Sequence, residues 1–170
     1  MFPAGAQLVV EQDSGFSRGL IFRHGIHQAL GVAHLLLQTG GNRHYYQHHQ
    51  HLLQEEDFNP KSWDAFYLRI ADMLTLHPEI RGIYGGSWFH DPVLSTISPH
   101  LSYLRERPTQ NGAYLFFSEI SVHTGALSKS QTRRKLYEEG KYLPKSYAII
   151  WPRKALLKWA ERYRRSMMSR

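Results

Sequence analysis

The stretch from Asn59 to Pro78, NPKSWDAFYLRIADMLTLHP, carries the strongest secondary-structure pattern in the chain. It opens with a favoured helix N-cap residue, followed by proline at the first helical position, where the missing N–H costs nothing. Apolar side chains then recur at helical spacing along one face: Trp63, Phe66, Tyr67, Ile70, Met73 and Leu74. The sequence therefore predicts an amphipathic helix from Asn59 to His77 that packs one face on a core.

A second helix is predicted before this one. Its apolar residues also recur at helical spacing, and the pair Gly40-Gly41 provides a stop signal. The residues expected to face the core are Phe22, Ile26, Leu30, Ala33 and Leu37.

After Pro78 the pattern changes to short apolar runs separated by turn residues. We predict strands or turns at residues 7–11, 80–84, 87–90, 101–105, 113–117, 119–123 and 146–151, with a turn at Gly85-Gly86, and helices at 128–139 and 152–167. This order predicts an α+β fold with a mixed or mostly antiparallel sheet flanked by helices. We expect one domain over residues 1–170, with a mainly helical, His-rich part (1–79) and a basic α/β part (80–170).

Charge is distributed unevenly along the chain. Residues 1–90 hold 6 Lys and Arg against 8 Asp and Glu, whereas residues 91–170 hold 15 against 6, so the net charge of +7 resides in the second part. This asymmetry predicts an anionic partner for the C-terminal half, either a small-molecule cofactor or substrate or a nucleic acid. Solubility alone is the alternative explanation.

Cysteine is absent, which excludes disulfides and restricts any zinc site to His, Asp and Glu ligands. The longest stretch without a charged residue runs from His24 to Asn42 and contains three histidines and two glutamines, so we expect no membrane span. This composition fits the cytoplasm, where we expect the protein to be located.

Histidines concentrate in the segment from Arg43 to Glu56, RHYYQHHQHLLQEE. If this segment is helical, four potential ligands fall on one face, where they can converge on a metal ion: His44, His48, His51 and Glu55. One hypothesis is therefore a metal-dependent enzyme centred on His48, His51 and His90. A solvated polar surface is the other interpretation of the cluster.

The run from Ser87 to Pro92, SWFHDP, follows a pair of glycines. Trp88 and Phe89 can form the apolar wall of a pocket with His90 and Asp91 at its rim. Packing in the core is the alternative use of these aromatic residues.

The segment from Thr132 to Tyr142, TRRKLYEEGKY, forms the body and end of a predicted helix. Capping signals mark its two ends: Ser128, Gln131 and Gly140. Its cations lie near the helix N-terminus, where positive charge opposes the helix dipole. Because exposed backbone N–H groups and arginine forks together bind phosphate, we predict an anion site at Arg133 and Arg134.

The pattern S-x-x-x-x-x-L-Y-E-E-G-x-Y, from Ser130 to Tyr142, resembles the penultimate helix of the GNAT acyltransferase superfamily, N-x-x-A-x-x-L-Y-x-x-x-G-F. The likeness includes the order of elements around it, with a strand ending at Pro108, and covers about residues 80–151. It implies a GNAT-like sheet and transfer of an acyl group from acyl-coenzyme A to an amine. The stretch from Ser87 to Pro108 also resembles bacterial proteins of unknown activity.

The resemblance implies roles for particular residues. Tyr137 would be the general acid that protonates the departing thiolate, and Glu119 or His123 would be the base by residue type. The turn from Pro108 to Ala113 would hold the pyrophosphate of coenzyme A. The implied cofactor-binding residues are Arg107, Asn111, Gly112, Ala113, Ser130, Arg133 and Arg134.

The last helix supports a hypothesis of another class. It carries six cations against one acid, together with Trp159 and Tyr163, as expected of a helix that binds nucleic acid: Arg153, Lys154, Lys158, Arg162, Arg164 and Arg165. The sequence contains no recognised nucleic-acid module. A basic nucleic-acid-binding protein without catalysis is therefore the alternative to the acyltransferase.

Overall fold

The computed structural model describes residues 2–5, 8–50, 58–123 and 125–169, with the backbone alone given for residues up to 13 and for residue 50. Its six strands are β1 (Phe2–Gly5), β2 (Leu8–Gly15), β3 (Arg43–Gln50), β4 (Gly82–Ser87), β5 (Tyr114–Ile120) and β6 (Lys145–Pro152). Its helices are α1 (Gly25–Thr39), α2 (Pro60–Leu76), α3 (Leu94–Ile97), α4 (Tyr103–Thr109), α5 (Gly125–Ser128), α6 (Gln131–Glu138) and α7 (Arg153–Met168). Short 3₁₀ turns lie at Arg18–Phe22, Trp88–His90 and Pro99–Leu101.

The strands form one sheet in the order β1-β2-β3-β4-β6-β5. In the part of the chain that the structure describes, β3 and β4 are the only parallel neighbours, and the other pairs are antiparallel. The predicted α+β fold with a mixed, mostly antiparallel sheet is confirmed.

The parallel pairing of β3 with β4 is short. Only Tyr46 with Ile83 and Gln47 with Tyr84 are in register. Beyond these two pairs the strands separate, although β3 still pairs with β2 and β4 still pairs with β6 on their outer sides. Helix α2 connects the two strands, because parallel neighbours need a crossover.

Helix α2 forms as the sequence predicts. The side chain of Asn59 accepts a hydrogen bond from the backbone N–H of Ser62 at 3.0 Å, and Pro60 is the first helical residue. The helix ends at Leu76, before Pro78. Its apolar face joins the larger of two cores, which lies between the sheet, α2 and α7: Tyr46, Trp63, Phe66, Tyr67, Ile70, Leu74, Ile83, Trp151, Leu156 and Trp159.

Helix α1 covers the other face of the sheet. Its buried residues Val32 and Leu35 join a smaller core with side chains from the sheet: Tyr45, Phe116, Ala148 and Ile150. Gly40, in the left-handed conformation at φ 74°, ends the helix as predicted.

The predicted core face of α1 is wrong. The large residues of the periodic stripe are exposed: Phe22, Ile26, Leu30 and Leu37. A different face packs inward because the buried Gln28 side chain pairs with the edge strand, donating to the carbonyl of Phe117 at 2.9 Å and accepting from its N–H at 2.7 Å. These bonds orient the helix in a way that apolar periodicity does not encode.

Several local predictions are also corrected. Residues 101–105 belong to a 3₁₀ turn and to α4 rather than to a strand, so no strand ends at Pro108. The pair Gly85-Gly86 lies inside β4 rather than in a turn. The N-cap of α6 is Ser130, whose hydroxyl accepts from Arg133 N at 3.2 Å, and not Ser128.

The division at residue 79 is not a structural boundary. Besides α1 and α2, the first part supplies three strands, and β3 pairs with β4 across the division. In the described ranges no helix is both long and apolar enough to cross a membrane.

The orientation of α1 leads to a prediction with a built-in control. Leu35→Ala removes a buried side chain and should lower the free energy of unfolding by about 2–5 kcal/mol, whereas Leu37→Ala removes an exposed one and should change it by less than about 0.5 kcal/mol. Urea denaturation of both variants provides the measurement. Equal losses, or a larger loss for Leu37→Ala, would contradict this orientation.

Candidate active site

A cavity of about 130 Å³ opens where β3 and β4 separate. We call it the β3/β4 cleft. Both strands contribute polar side chains, and β4 also contributes glycine backbone. Helix α2 and the turn after β4 contribute aromatic side chains. Its lining residues are Gln47, His48, His49, Trp63, Gly86, Ser87, Phe89 and His90.

His48 lies at the bottom of the β3/β4 cleft. Its ring contacts the aromatic rings of Trp63 and Phe66, with centroids 6.0 and 5.9 Å away. A Cβ at Gly85 would overlap the imidazole, so the neighbouring strand must carry glycine at this position. Nδ1 is buried without a hydrogen-bond partner in the described structure, and the ring also interacts with the backbone of Tyr84.

His90 is the second imidazole of the cleft, with its ring centroid 6.5 Å from that of His48. Its Nδ1 lies 3.0 Å from the carbonyl oxygen of Tyr147. A carbonyl only accepts hydrogen bonds, so Nδ1 carries the proton and Nε2 the lone pair.

Burial keeps both rings neutral. Removal from water, together with the nearby His90 and His49, lowers the pKa of His48 to about 3, against the opposing interaction with the backbone of Tyr84. Burial likewise lowers the pKa of His90 to about 4, against the opposing bond to Tyr147. At pH 7 the cleft therefore holds two uncharged imidazoles that can accept a hydrogen bond or a proton.

The cleft also contains a hydrogen-bond donor without a partner. Trp63 is almost completely buried, and its indole Nε1 makes no hydrogen bond in the described structure. Leaving a buried N–H unpaired costs about 1–3 kcal/mol. Buried polar atoms without a partner are rare in folded proteins, and two residues that line the cleft, Trp63 and His48, each carry one.

Aromatic side chains form the rim of the cleft. Phe58 contacts Trp63 and Phe89, with centroids at 6.0 and 5.2 Å, and Phe89 lies 4.0 Å from Trp88. Phe89 and His90 line the cavity as the SWFHDP motif predicts, whereas Trp88 and Asp91 are buried behind it.

Arg133 does not form the predicted anion site. Only 4% of it is exposed. Its Nε donates to the carbonyl of Ala126 at 2.6 Å, one terminal nitrogen donates to Ser98 Oγ at 3.0 Å, and its Cζ lies 4.6 Å from the ring centroid of Trp88. The guanidinium therefore anchors α6 to the turn that carries His90.

The three predicted catalytic residues lie away from the cleft lining. Tyr137 is partly exposed on α6, Glu119 is exposed near the end of the edge strand β5, and His123 is exposed after that strand. None of them lines the described cavities. The structure does not bring them together with the imidazoles.

The predicted pyrophosphate turn is occupied by contacts within the chain. Arg107 forms an ion pair with Asp64 at 2.8 Å. The backbone carbonyl of Asn111 accepts from Trp151 Nε1 at 3.0 Å, and its side-chain oxygen accepts from Arg162 at 2.9 Å. Gly112 packs close to α7, and Ala113 is partly buried against the larger core. This turn thus joins α4 to α2, α7 and the sheet.

The remaining predicted cofactor residues lie on α6. Ser130 caps the helix, and Arg134 is exposed on its surface. Among the described residues, neither Ser130 nor Arg134 contacts the turn from Pro108 to Ala113.

The metal hypothesis receives no support from the described residues, among which no group of three or more His, Asp or Glu side chains could hold an ion. The single helix face that it required does not form, because residues 43–50 are strand β3. His48 and His90 do meet in the cleft, whereas His51 lies outside the described residues.

Many cations of α7 have partners within the chain. Arg153 donates to the carbonyls of Leu74 and His77 at the end of α2, Arg164 pairs with Asp72, and Arg165 pairs with Glu161. The apolar stripe of this helix is buried in the larger core. Structural anchoring therefore accounts for much of the basic composition of α7.

Comparisons with protein-family models, with curated proteins and with solved structures find no match to this chain.

Sequence reasoning missed most of the cleft. The helical pattern correctly placed Trp63 in the core but does not indicate that this residue lines a cavity. The Gly85-Gly86 pair was a usable signal, since consecutive glycines inside a strand often mark a close approach or a ligand.

The buried imidazoles predict a loss of stability in acid. Below about pH 6.5 the unfolded chain takes up protons at these histidines, whereas the folded chain does not until its lower pKa values are reached. The contribution of the two histidines to the free energy of unfolding should thus be fully present above about pH 7. It should fall toward pH 4, by about 2 kcal/mol per histidine between pH 7 and pH 5. In urea denaturation, the free energy of unfolding should fall less between pH 7 and pH 5 for His48→Gln than for the wild type. An exposed control, His100→Gln, should match the wild type.

The anchoring role of Arg133 predicts a contrast with its neighbour on α6. Arg133→Gln should lower the free energy of unfolding by roughly 2 kcal/mol or more, because Ser98 and Ala126 lose a charged donor. Arg134→Gln changes an exposed side chain and should cost less than about 0.5 kcal/mol. An unaltered melting temperature for Arg133→Gln would contradict the anchoring role.

Proposed function

We propose that the protein is an acyltransferase that transfers an acyl group from acyl-coenzyme A to an amine in the β3/β4 cleft. The observation that carries this proposal is the meeting of two neutral imidazoles with an unpaired indole N–H where the parallel strands separate. These groups provide an acceptor and a donor on one small cavity, as acyl transfer requires.

The strand backbone at the β3/β4 cleft supports binding of an extended, amide-bearing substrate. In the described part of the chain, the pairing of β3 with β4 ends at Gln47 and Tyr84, and residues 85–87 of β4 have no register partner in β3. Backbone groups in such a position can pair with an inserted chain, as they do when a strand is added to a sheet edge. The pantetheine arm of coenzyme A has two amide groups and a linear shape that suit this position.

The side chains supply the remaining chemistry. The lone pair of His48 Nδ1 accepts a proton from the amine while the amine nitrogen forms a bond to the thioester carbonyl carbon. The Trp63 N–H donates to the carbonyl oxygen, where negative charge develops. The C–S bond then breaks, and the sulfur leaves with the bonding electron pair and takes up the proton that His48 accepted. His90 lies beside His48 as a second acceptor for the transferred proton.

The dimensions and polarity of the cleft favour a short acyl group. A cavity of about 130 Å³ is smaller than the ~300–1,000 Å³ of a typical ligand pocket, so it suits the reacting end of the donor rather than a long chain. Trp63 lies in the first turn of α2, which directs the positive end of this helix dipole toward the cleft. That end of the helix suits the phosphates of coenzyme A.

Gly86 allows a direct test of the location. A Cβ at this position would meet no atom within 4 Å, so Gly86→Val should fold while its side chain narrows the cleft. Acetyl-coenzyme A at saturating concentration should raise the melting temperature of the wild type by several degrees. Gly86→Val should lose this shift, whereas the α6 variants Tyr137→Phe and Arg134→Gln should retain it.

The catalytic step is tested separately with a panel of amines, by following release of the coenzyme A thiol. His48→Gln should lower kcat by about 10²–10⁴-fold with little change in KM for acetyl-coenzyme A. A shift that survives in Gly86→Val but disappears in Tyr137→Phe would place the site on α6 instead. The absence of any shift with acyl-coenzyme A in the wild type would overturn the proposed function.

A further inference from the structure

Helix α1 presents an apolar stripe to solvent. Three of its large side chains are exposed, to 66% (Ile26), 61% (Leu30) and 84% (Leu37), and Ala33 continues the row. Phe22, which ends the 3₁₀ turn before the helix and is 89% exposed, extends the row. Single exposed apolar residues are normal on a protein surface, whereas a continuous row along a whole helix usually marks a docking surface. We call this row the α1 stripe.

The chain segment that carries the α1 stripe contains cations and no acid. Residues 14–54 contain no Asp or Glu, and their only Lys or Arg residues are Arg18, Arg23 and Arg43. All three arginines are exposed. Arg23 precedes the N-terminus of α1, and Arg43 follows its C-terminus. Arg18 lies at the C-terminal end as well, because its Nε donates to Asn42 Oδ1 at 2.9 Å. Cations thus flank the stripe at both ends.

The shape and charge of this surface distinguish between possible occupants. The stripe is five residues, four on α1 and one in the turn before it, whereas a stable protein interface uses about 20–30 residues a side. A second copy would bring arginines against arginines, with no acid in this segment to pair with them. A bilayer with anionic lipids needs only a narrow apolar strip that enters the headgroup region and cations that meet the lipid phosphates.

We infer that the α1 stripe docks the protein on the surface of an anionic lipid bilayer. Helix α1 would lie along the interface with Phe22 and Leu37 inserted and Arg18, Arg23 and Arg43 at the headgroups. The larger core, with α2 and α7, lies on the opposite face of the sheet, so that face would point to the aqueous phase. This inference is independent of the proposed acyl transfer.

Co-sedimentation with vesicles tests the inference. The wild-type protein should bind vesicles of phosphatidylcholine mixed with phosphatidylserine and bind pure phosphatidylcholine at least about tenfold more weakly. Raising the salt concentration should weaken the binding to anionic vesicles. The double variant Phe22→Ser/Leu37→Ser should lose at least about tenfold in affinity, and Arg18→Gln/Arg23→Gln should lose affinity for anionic vesicles.

The chain offers a matched control. Leu76 and Met168 are 77% and 89% exposed on α2 and α7, on the other face of the sheet. Leu76→Ser/Met168→Ser should bind vesicles as the wild type does. Equal loss in the two double variants, or vesicle binding that none of the substitutions changes, overturns the inference. So does a concentration-dependent dimer in sedimentation equilibrium that Leu37→Ser dissociates, because the occupant would then be a second copy.

Discussion

The short parallel contact between β3 and β4 is the constraint on which the rest of the architecture depends. Two parallel strands cannot be joined by a tight turn, so α2 must cross over the sheet between them. The crossover places the first turn of α2, with Trp63, beside the point where the strands separate. One topological requirement thus brings unpaired strand edges, a helix N-terminus and an indole N–H to the same place.

Burial determines the chemical state of the polar groups around this place. His48 and His90 are kept neutral because water is excluded from their rings, and each is oriented by one bond to a backbone carbonyl. Arg133 remains in the interior because hydroxyl, carbonyl and indole groups surround its guanidinium. The neutral pair faces a cavity and can act on a ligand, whereas the arginine is enclosed and acts as an anchor.

The two faces of the sheet differ in how completely they are covered. On one face, α2 and α7 enclose a broad aromatic core, and the basic residues of α7 extend over α2. On the other face, α1 packs through a few side chains, and its most apolar row faces outward. Apolar periodicity locates the helix correctly in both cases. It assigns the correct inner face only to α2, because hydrogen bonds from Gln28 to β5 orient α1.

The sequence by itself determined the α+β class and the helices with strong end signals, since caps, proline and apolar spacing act over a few residues. It also indicated that Phe89 and His90 line a pocket. Only the tertiary structure decided that residues 43–50 are a strand, that Gly85 admits the His48 ring, and that Arg133 is buried. These features depend on partners far away in the chain, such as Ser98, which lies 35 residues before Arg133. Local patterns do not contain that information.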